Sequence, residues 1–149
     1  MRDEDGGTAI IEFVFVAVIV MLPLVYLIVA VAGVQRSELA VSQAAREAGR
    51  AFATSDSADE ALARADVAVH IALRDQGLPD DAEVRYVAAG ATCADDPPAI
   101  APQLRAGAEF TVCVRRRVDI PAVPKVLLGK GITTWGEYVV HIDDYRTVR

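Results

Sequence analysis

The chain has 149 residues, two cysteines and a formal net charge of −6, so beyond any membrane segment it has room for one modest domain. An acidic balance argues against a phosphate-backbone ligand, which needs a clustered basic face, and nucleic acid is not an expected partner. No phosphate loop, GxSxG turn or CxxC spacing is present, and His70, His141, the cysteines and the four serines make no catalytic constellation without arbitrary choices; no enzyme activity, cofactor or metal is expected.

Residues 1–7, MRDEDGG, are short, polar and glycine-terminated, and read as a leader without a packing role. The apolar stretch that follows contains one acid, Glu12. From Phe13 to Val34 there are 22 residues without a charge, which at a rise of 1.5 Å per residue span a hydrocarbon core of roughly 30 Å. Pro23 removes a backbone bond near its middle.

Three readings of this stretch compete. A secretory signal peptide cut near Ala30-Val31-Ala32 fits poorly, because the apolar run exceeds the usual h-region and the acids Asp3, Glu4 and Asp5 stand where basic residues belong. A plain single-pass anchor would leave Glu12 at the interface with its carboxylate snorkelling outward. The third reading treats the acid as functional, since a membrane-embedded carboxylate is expensive and needs a partner. Cleavage after Gly7 makes Thr8 the first residue and Glu12 the fifth, followed by Phe13. That arrangement resembles a type IV prepilin. The resemblance implies processing between Gly7 and Thr8 by a membrane-embedded prepilin peptidase and a docking role for Glu12 and Phe13 between subunits. Pairing of Glu12 with the new cationic terminus of a neighbour is the chemistry it implies.

Beyond Val34 the helix is expected to continue through residue 54, with Val41, Ala44, Ala45, Ala48 and Phe52 recurring at helical spacing. This small-residue stripe suits either neighbouring helices or the chain's own sheet. The stretch Ala44-Ala45-Arg46-Glu47-Ala48-Gly49-Arg50 resembles the AAREGAR-type segment of TadE-like proteins, minor pilins or pseudopilins of the tight-adherence (Tad, Flp-type) pilus system. Glu12-Phe13, the glycine before the cleavage site and Pro23 belong to the same pattern.

Ser57-Ala58-Asp59-Glu60 reads as a capping box opening a second helix. Leu62, Ala65, Val69, Leu73 and Gln76 mark its apolar face, His70 borders that face with one hydrogen bond, and Gly77 and Pro79 end it. From Ala82 the period falls to two, with Val84, Tyr86 and Ala88 alternating against Glu83, Arg85 and Val87. The loop Gly90–Gly107 is long for a compact domain and should be tied down. Cys93 and Cys113 allow two readings: a disulfide in an oxidising compartment, or two unrelated thiols.

The clearest strand is Glu109–Ile120, with Phe110, Val112, Val114, Val118 and Ile120 on one face and Thr111, Cys113, Arg115, Arg117 and Asp119 on the other. Arg116 interrupts the apolar face. Arg115-Arg116-Arg117 reads as a solvated face, and Asp80-Asp81, Asp95-Asp96 and Asp143-Asp144 as solvated turns. A proline- and glycine-bounded connector, Pro121 to Gly131, leads to a last strand, Ile132–Ile142. Val112–Val118, this connector and Asp143–Arg146 are similar, more loosely, to the second half of TadE-like proteins.

The expected architecture is α+β: leader 1–7, a helix over 8–54 with residues 8–34 in the membrane, and a domain over 55–149 with a second helix and an antiparallel sheet of three or four strands. Arg2 and Arg36 balance each other as orientation signals. The resemblance implies a cytoplasmic N-terminus, a cell (inner) membrane location and an extracytoplasmic domain. It also implies a structural role in Tad pilus assembly, with the lipid bilayer, other pilins and pseudopilins, the Tad assembly platform and the prepilin peptidase as partners. An unprocessed single-pass anchor displaying a small extracytoplasmic binding domain is the alternative.

Overall fold

A computed structural model describes residues 5–119 and 131–146, residues 5–10 by their backbone alone. Helices α1 (Asp5–Ala53) and α2 (Ala58–Asp75) precede strands β1 (Glu83–Ala88), β2 (Glu109–Val118) and β3 (Ile132–His141). The strands form an antiparallel sheet in the order β1-β2-β3. Tyr86 stands opposite Val112, which in turn faces Tyr138. A long apolar N-terminal helix, a second helix and a three-stranded antiparallel sheet make the expected α+β class, with a pilin-like topology. The chain divides into two compact units, one ending at Gly33 and the other spanning Val34–Arg149. The later part of α1 is therefore integral to the second unit. α1 begins at Asp5, three residues ahead of Thr8.

Local chemistry accounts for the ends of α2. The Ser57 hydroxyl accepts from the Glu60 amide at 3.3 Å, and the Glu60 carboxylate accepts from the amide of Asp56 at 3.2 Å. The reciprocal bond of the capping box thus falls one residue earlier than the motif predicts. At the other end Gly77 takes a φ of +67°. The Gly77 amide donates to Arg74 O at 2.8 Å and the Leu78 amide to Leu73 O at 3.0 Å, the paired bonds of a left-handed cap that glycine adopts most readily. The inward face of α2 is Ala61, Ala65, Val69, Ala72 and Leu73. Leu62, expected on that face, is largely exposed, because Ala61 takes its place.

The core of the second unit is built from Val41, Ala44, Ala45, Ala48 and Phe52 of α1, the inner face of α2, and Phe110, Val112, Val114 and Val140 of the sheet. The Phe52 ring meets Phe110 edge-on with centroids 4.9 Å apart, and Tyr86 lies 5.8 Å from Phe52. The small residues of the α1 stripe are consumed here, inside the chain's own domain. A Cβ on Gly136 would stand 2.0 Å from the carbonyl oxygen of Val41, so β3 crosses α1 backbone to backbone. Gly49 is similarly crowded, with the Tyr138 ring 2.5 Å from where its Cβ would lie.

The opposite face of the sheet departs from simple alternation. Thr111 and Cys113 of β2 are both buried, Cys113 beneath Cys93 and Ala91 of the loop after β1. Cys93 and Cys113, 20 positions apart in sequence, form a disulfide with Cα atoms 5.7 Å apart. Val87, Cys93 and Cys113 form a small second cluster with Ala91 and Trp135. Closing a loop of this size stabilises by about 3 kcal/mol in the chain-entropy account. The loop is further held by the Ile100 amide, which donates to Tyr86 O at 2.8 Å. Arg85 pairs with Asp96 and donates to Pro97 O at 3.2 Å.

At the end of β3, Ile142 is buried and its amide donates to Ala108 O at 2.9 Å. Arg146 then donates to the carbonyls of Ala53 and Ser55, satisfying acceptors that the end of α1 leaves free. Tyr145, by contrast, is exposed. Ile120 and the connector residues 121–130 lie outside the described residues.

Two predictions follow from this packing. Gly136→Ala should lower the unfolding free energy by about 3 kcal/mol, the upper end of the overpacking range, because the nearest atoms, Val41 O and C and Ser42 N, are all backbone; denaturant titration measures it, and a loss below about 1 kcal/mol would refute the close crossing. The second concerns Tyr86, whose phenol burial pushes from 10.0 up to about 12, with the Asp66 carboxylate adding to the shift. The unfolded chain releases that proton first, so this contribution is complete below pH 10 and is lost as pH rises to about 12. Tyr86→Phe should therefore reduce the alkaline slope of stability over that interval; urea melts at stepped pH would show an unchanged slope if another group were responsible.

Candidate functional site

The expected peptidase site, Gly7 and Thr8, is helical backbone within α1. Glu12 is exposed, and Phe13 is 73% exposed. Large apolar side chains from Ile11 to Val31 are uncovered in the same way, and none of the membrane-length window is buried within the protein. The helix is long and apolar enough to cross a membrane. An uncovered surface of this extent goes well beyond the patches that soluble monomers display. Glu12 stands at the start of a long run without a formal charge, Phe13 to Val34.

The second unit places a polar cluster close to the end of that run. Ser37, three residues after Val34, is fully buried. Its hydroxyl lies 2.8 Å from that of Thr134, and Arg116 Nη1 donates to Ser37 Oγ at 3.3 Å. Thr134 donates to the Arg116 carbonyl at 3.2 Å. The Thr134 proton being committed, Ser37 must donate to Thr134, and the three residues close a ring in which every hydroxyl proton has one acceptor. Outside the ring, Arg116 Nε and Nη2 donate to the Asp81 carboxylate at 2.6 and 3.3 Å.

This cluster corrects two expectations. Arg116 is not part of a solvated face: it is 7% exposed, on the inner side of β2, where a charge persists only when paired. Asp81 is its partner and more than a solvated turn residue. The signal was visible as the charge that interrupts the apolar alternation of β2, although neither Ser37 nor Thr134 stood out. Arg115 and Arg117 do occupy the outer face; Arg115 pairs with Glu83.

The stripe Ala44, Ala45, Ala48 and Gly49, which suited either neighbouring helices or the chain's own sheet, packs on the sheet and α2. Arg46 turns back to Ser42, with 3.0 Å between Nη2 and Oγ. His70 makes two contacts where one was expected, Nδ1 2.7 Å from Asp66 O and Nε2 3.0 Å from Asp80 Oδ2. His141 Nδ1 lies 3.0 Å from Glu109 Oε1. Among the described residues, no group of three His, Cys, Asp or Glu side chains is arranged to hold a metal.

The chain matches no family model, no curated protein and no solved structure.

Breaking the cluster from one side should be worse than replacing it. Asp81→Asn leaves the Arg116 guanidinium without a counter-charge and should cost about 1–3 kcal/mol. The combined change Ser37→Ala, Arg116→Leu, Thr134→Val and Asp81→Asn should recover at least half of that loss, because a buried ion pair rarely outperforms a packed apolar one. Paired denaturation curves test this; a combined variant weaker than Asp81→Asn would mean that the ring itself is the main source of stability.

Proposed function

We propose that this chain is a structural subunit of a Tad-type pilus, a minor pseudopilin held in the membrane by α1 before incorporation and processed by a prepilin peptidase between Gly7 and Thr8. The observation that carries this reading is the pairing of an uncovered apolar helix bearing Glu12-Phe13 near its start with a small disulfide-containing α+β domain. The helix supplies a membrane anchor and a surface for neighbouring subunits. Glu12 supplies register, because in a low-dielectric setting its carboxylate is best satisfied by the cationic α-amino group that cleavage creates on a neighbour. The disulfide fits an oxidising compartment outside the cytoplasm. The role is one of assembly, with no substrate turned over.

One observation favours the unprocessed anchor as a second reading: the Gly7–Thr8 bond lies inside α1 rather than in an extended segment. Mass spectrometry of the membrane-extracted protein separates the two. A chain beginning at Thr8 is expected; an intact Met1, or a terminus beyond Ala32, would falsify the processed form. Glu12→Ala should then abolish incorporation into pili while membrane insertion persists. Normal piliation with that variant would reduce Glu12 to an interfacial residue.

A further inference from the structure

The two edges of the sheet end differently. Along an antiparallel ladder the backbone groups of successive residues point alternately at the neighbouring strand and away from it. On β1 the outward carbonyl of Tyr86 takes the Ile100 amide at 2.8 Å, and that of Ala88 takes the Ala91 amide at 3.1 Å. The disulfide-closed loop thus covers that edge. On β3 the phase follows from Ile142, whose amide donates to Ala108 O at 2.9 Å and whose carbonyl accepts from the Gly107 amide at 3.1 Å. Thr133, Trp135, Glu137, Val139 and His141 therefore direct their N–H and C=O groups away from β2. Among the described residues, no hydrogen bond reaches those groups.

Sheet edges left open to water are normally blunted by proline, lysine, a bulge or short length. β3 reads ITTWGEYVVH and pairs with β2 in unbroken register from Ile132 to His141, so it has none of these. A groove of about 660 Å³ lies beside its first half, with Thr133 and Trp135 facing Gln35, Glu38 and Ser42 of α1. The exposed charges of this edge are acids: Glu38 in the groove, Glu137 on the strand and Asp143 just past it. Arg115 is paired with Glu83, and His141 with Glu109. Glu137 accepts from the Cys93 amide at 3.4 Å through one oxygen and has no counter-charge among the described residues. Val139, two positions on, is 52% exposed.

We infer that β3 is a docking edge for an extended, basic segment of another protein, which adds to the sheet as a fourth strand. A lysine or arginine of that segment stands opposite Glu137 and a branched apolar side chain opposite Val139. Main-chain bonds to the outward residues supply affinity, and the acids supply the choice of partner. A second copy, with the same net charge of −6, is repelled where a basic strand is drawn in. The inference goes beyond the assembly role proposed above and does not depend on it.

The test is amide hydrogen exchange read by NMR on the full-length protein in neutral detergent micelles. Two probes are added in turn: a seven-residue peptide of alternating valine and lysine, and the same peptide with glutamate in place of lysine. The lysine peptide is expected to slow exchange at Glu137, Val139 and His141 at least about tenfold, leaving the already bonded Tyr138 and Val140 unchanged. Glu137→Lys should transfer the preference to the glutamate peptide. Val139→Pro removes an outward donor without touching the ladder to β2, and should abolish protection while Tyr138 and Val140 report an intact sheet. Equal protection by both peptides, or by neither, overturns the proposal. Protection of the three amides without peptide also overturns it: if it grows with protein concentration, the edge belongs to a second copy, and if it persists on dilution, the chain closes the edge itself.

Discussion

The contact on which the second unit depends is the crossing of α1 over β3, where Gly136 meets the Val41 carbonyl with no room for a methyl group. Backbones this close demand small residues around them, which is why alanines and Gly49 line the adjoining face of α1. They also demand that the two ends of the crossing be held in register. Towards the membrane segment, the ring of Ser37, Arg116 and Thr134 supplies that register through directional bonds. Towards the end of the helix, the Phe52, Phe110 and Tyr86 rings supply it through shape, and Arg146 closes the last carbonyls. Directional bonds at one end of the crossing and apolar packing at the other divide the same task between two kinds of interaction.

Much of this arrangement was legible in the residues. Period-3.6 spacing marked both helices, Ser57 and Gly77 marked the limits of α2, and alternation marked β1 and β2, because each signal is local and depends on burying one face. What escaped were features set by partners distant in sequence. Leu62 gave way to Ala61 because the packing partner of α2 chose among adjacent apolar positions. Cys113 proved buried because the disulfide joins it to Cys93 in a cluster on the second face of β2, and neither fact is encoded in the period of the strand. Gly136 carried no signal of its own within a valine- and aromatic-rich strand, since the reason for it lies in the backbone of α1.

The candidate site was legible in its chemistry and less so in its support. Glu12 and Phe13 stood out because a charge beside a long apolar run violates a strong rule. Arg116 violated a similar rule on β2, but its meaning required knowing that Asp81 and Ser37 converge on it from two other elements. Both exceptions bracket the uncharged segment, one at its start and one just past its end. At the second point Ser37, three residues past Val34, is buried in a ring of hydrogen bonds with Arg116 and Thr134.

The hydrogen bond between Ser37 and Thr134 joins residues separated by 97 positions, and this has a consequence for biogenesis. The apolar helix and its alanine-lined continuation leave the ribosome before β2 and β3, which cover that continuation. Until β3 emerges, Val41, Ala44, Ala45 and Ala48 have no lasting partner, and the early part of the domain is a binding surface without its ligand. Contacts of such long range close slowly. The alanine-lined continuation of α1 thus waits, already synthesised, until β3 arrives to finish the fold.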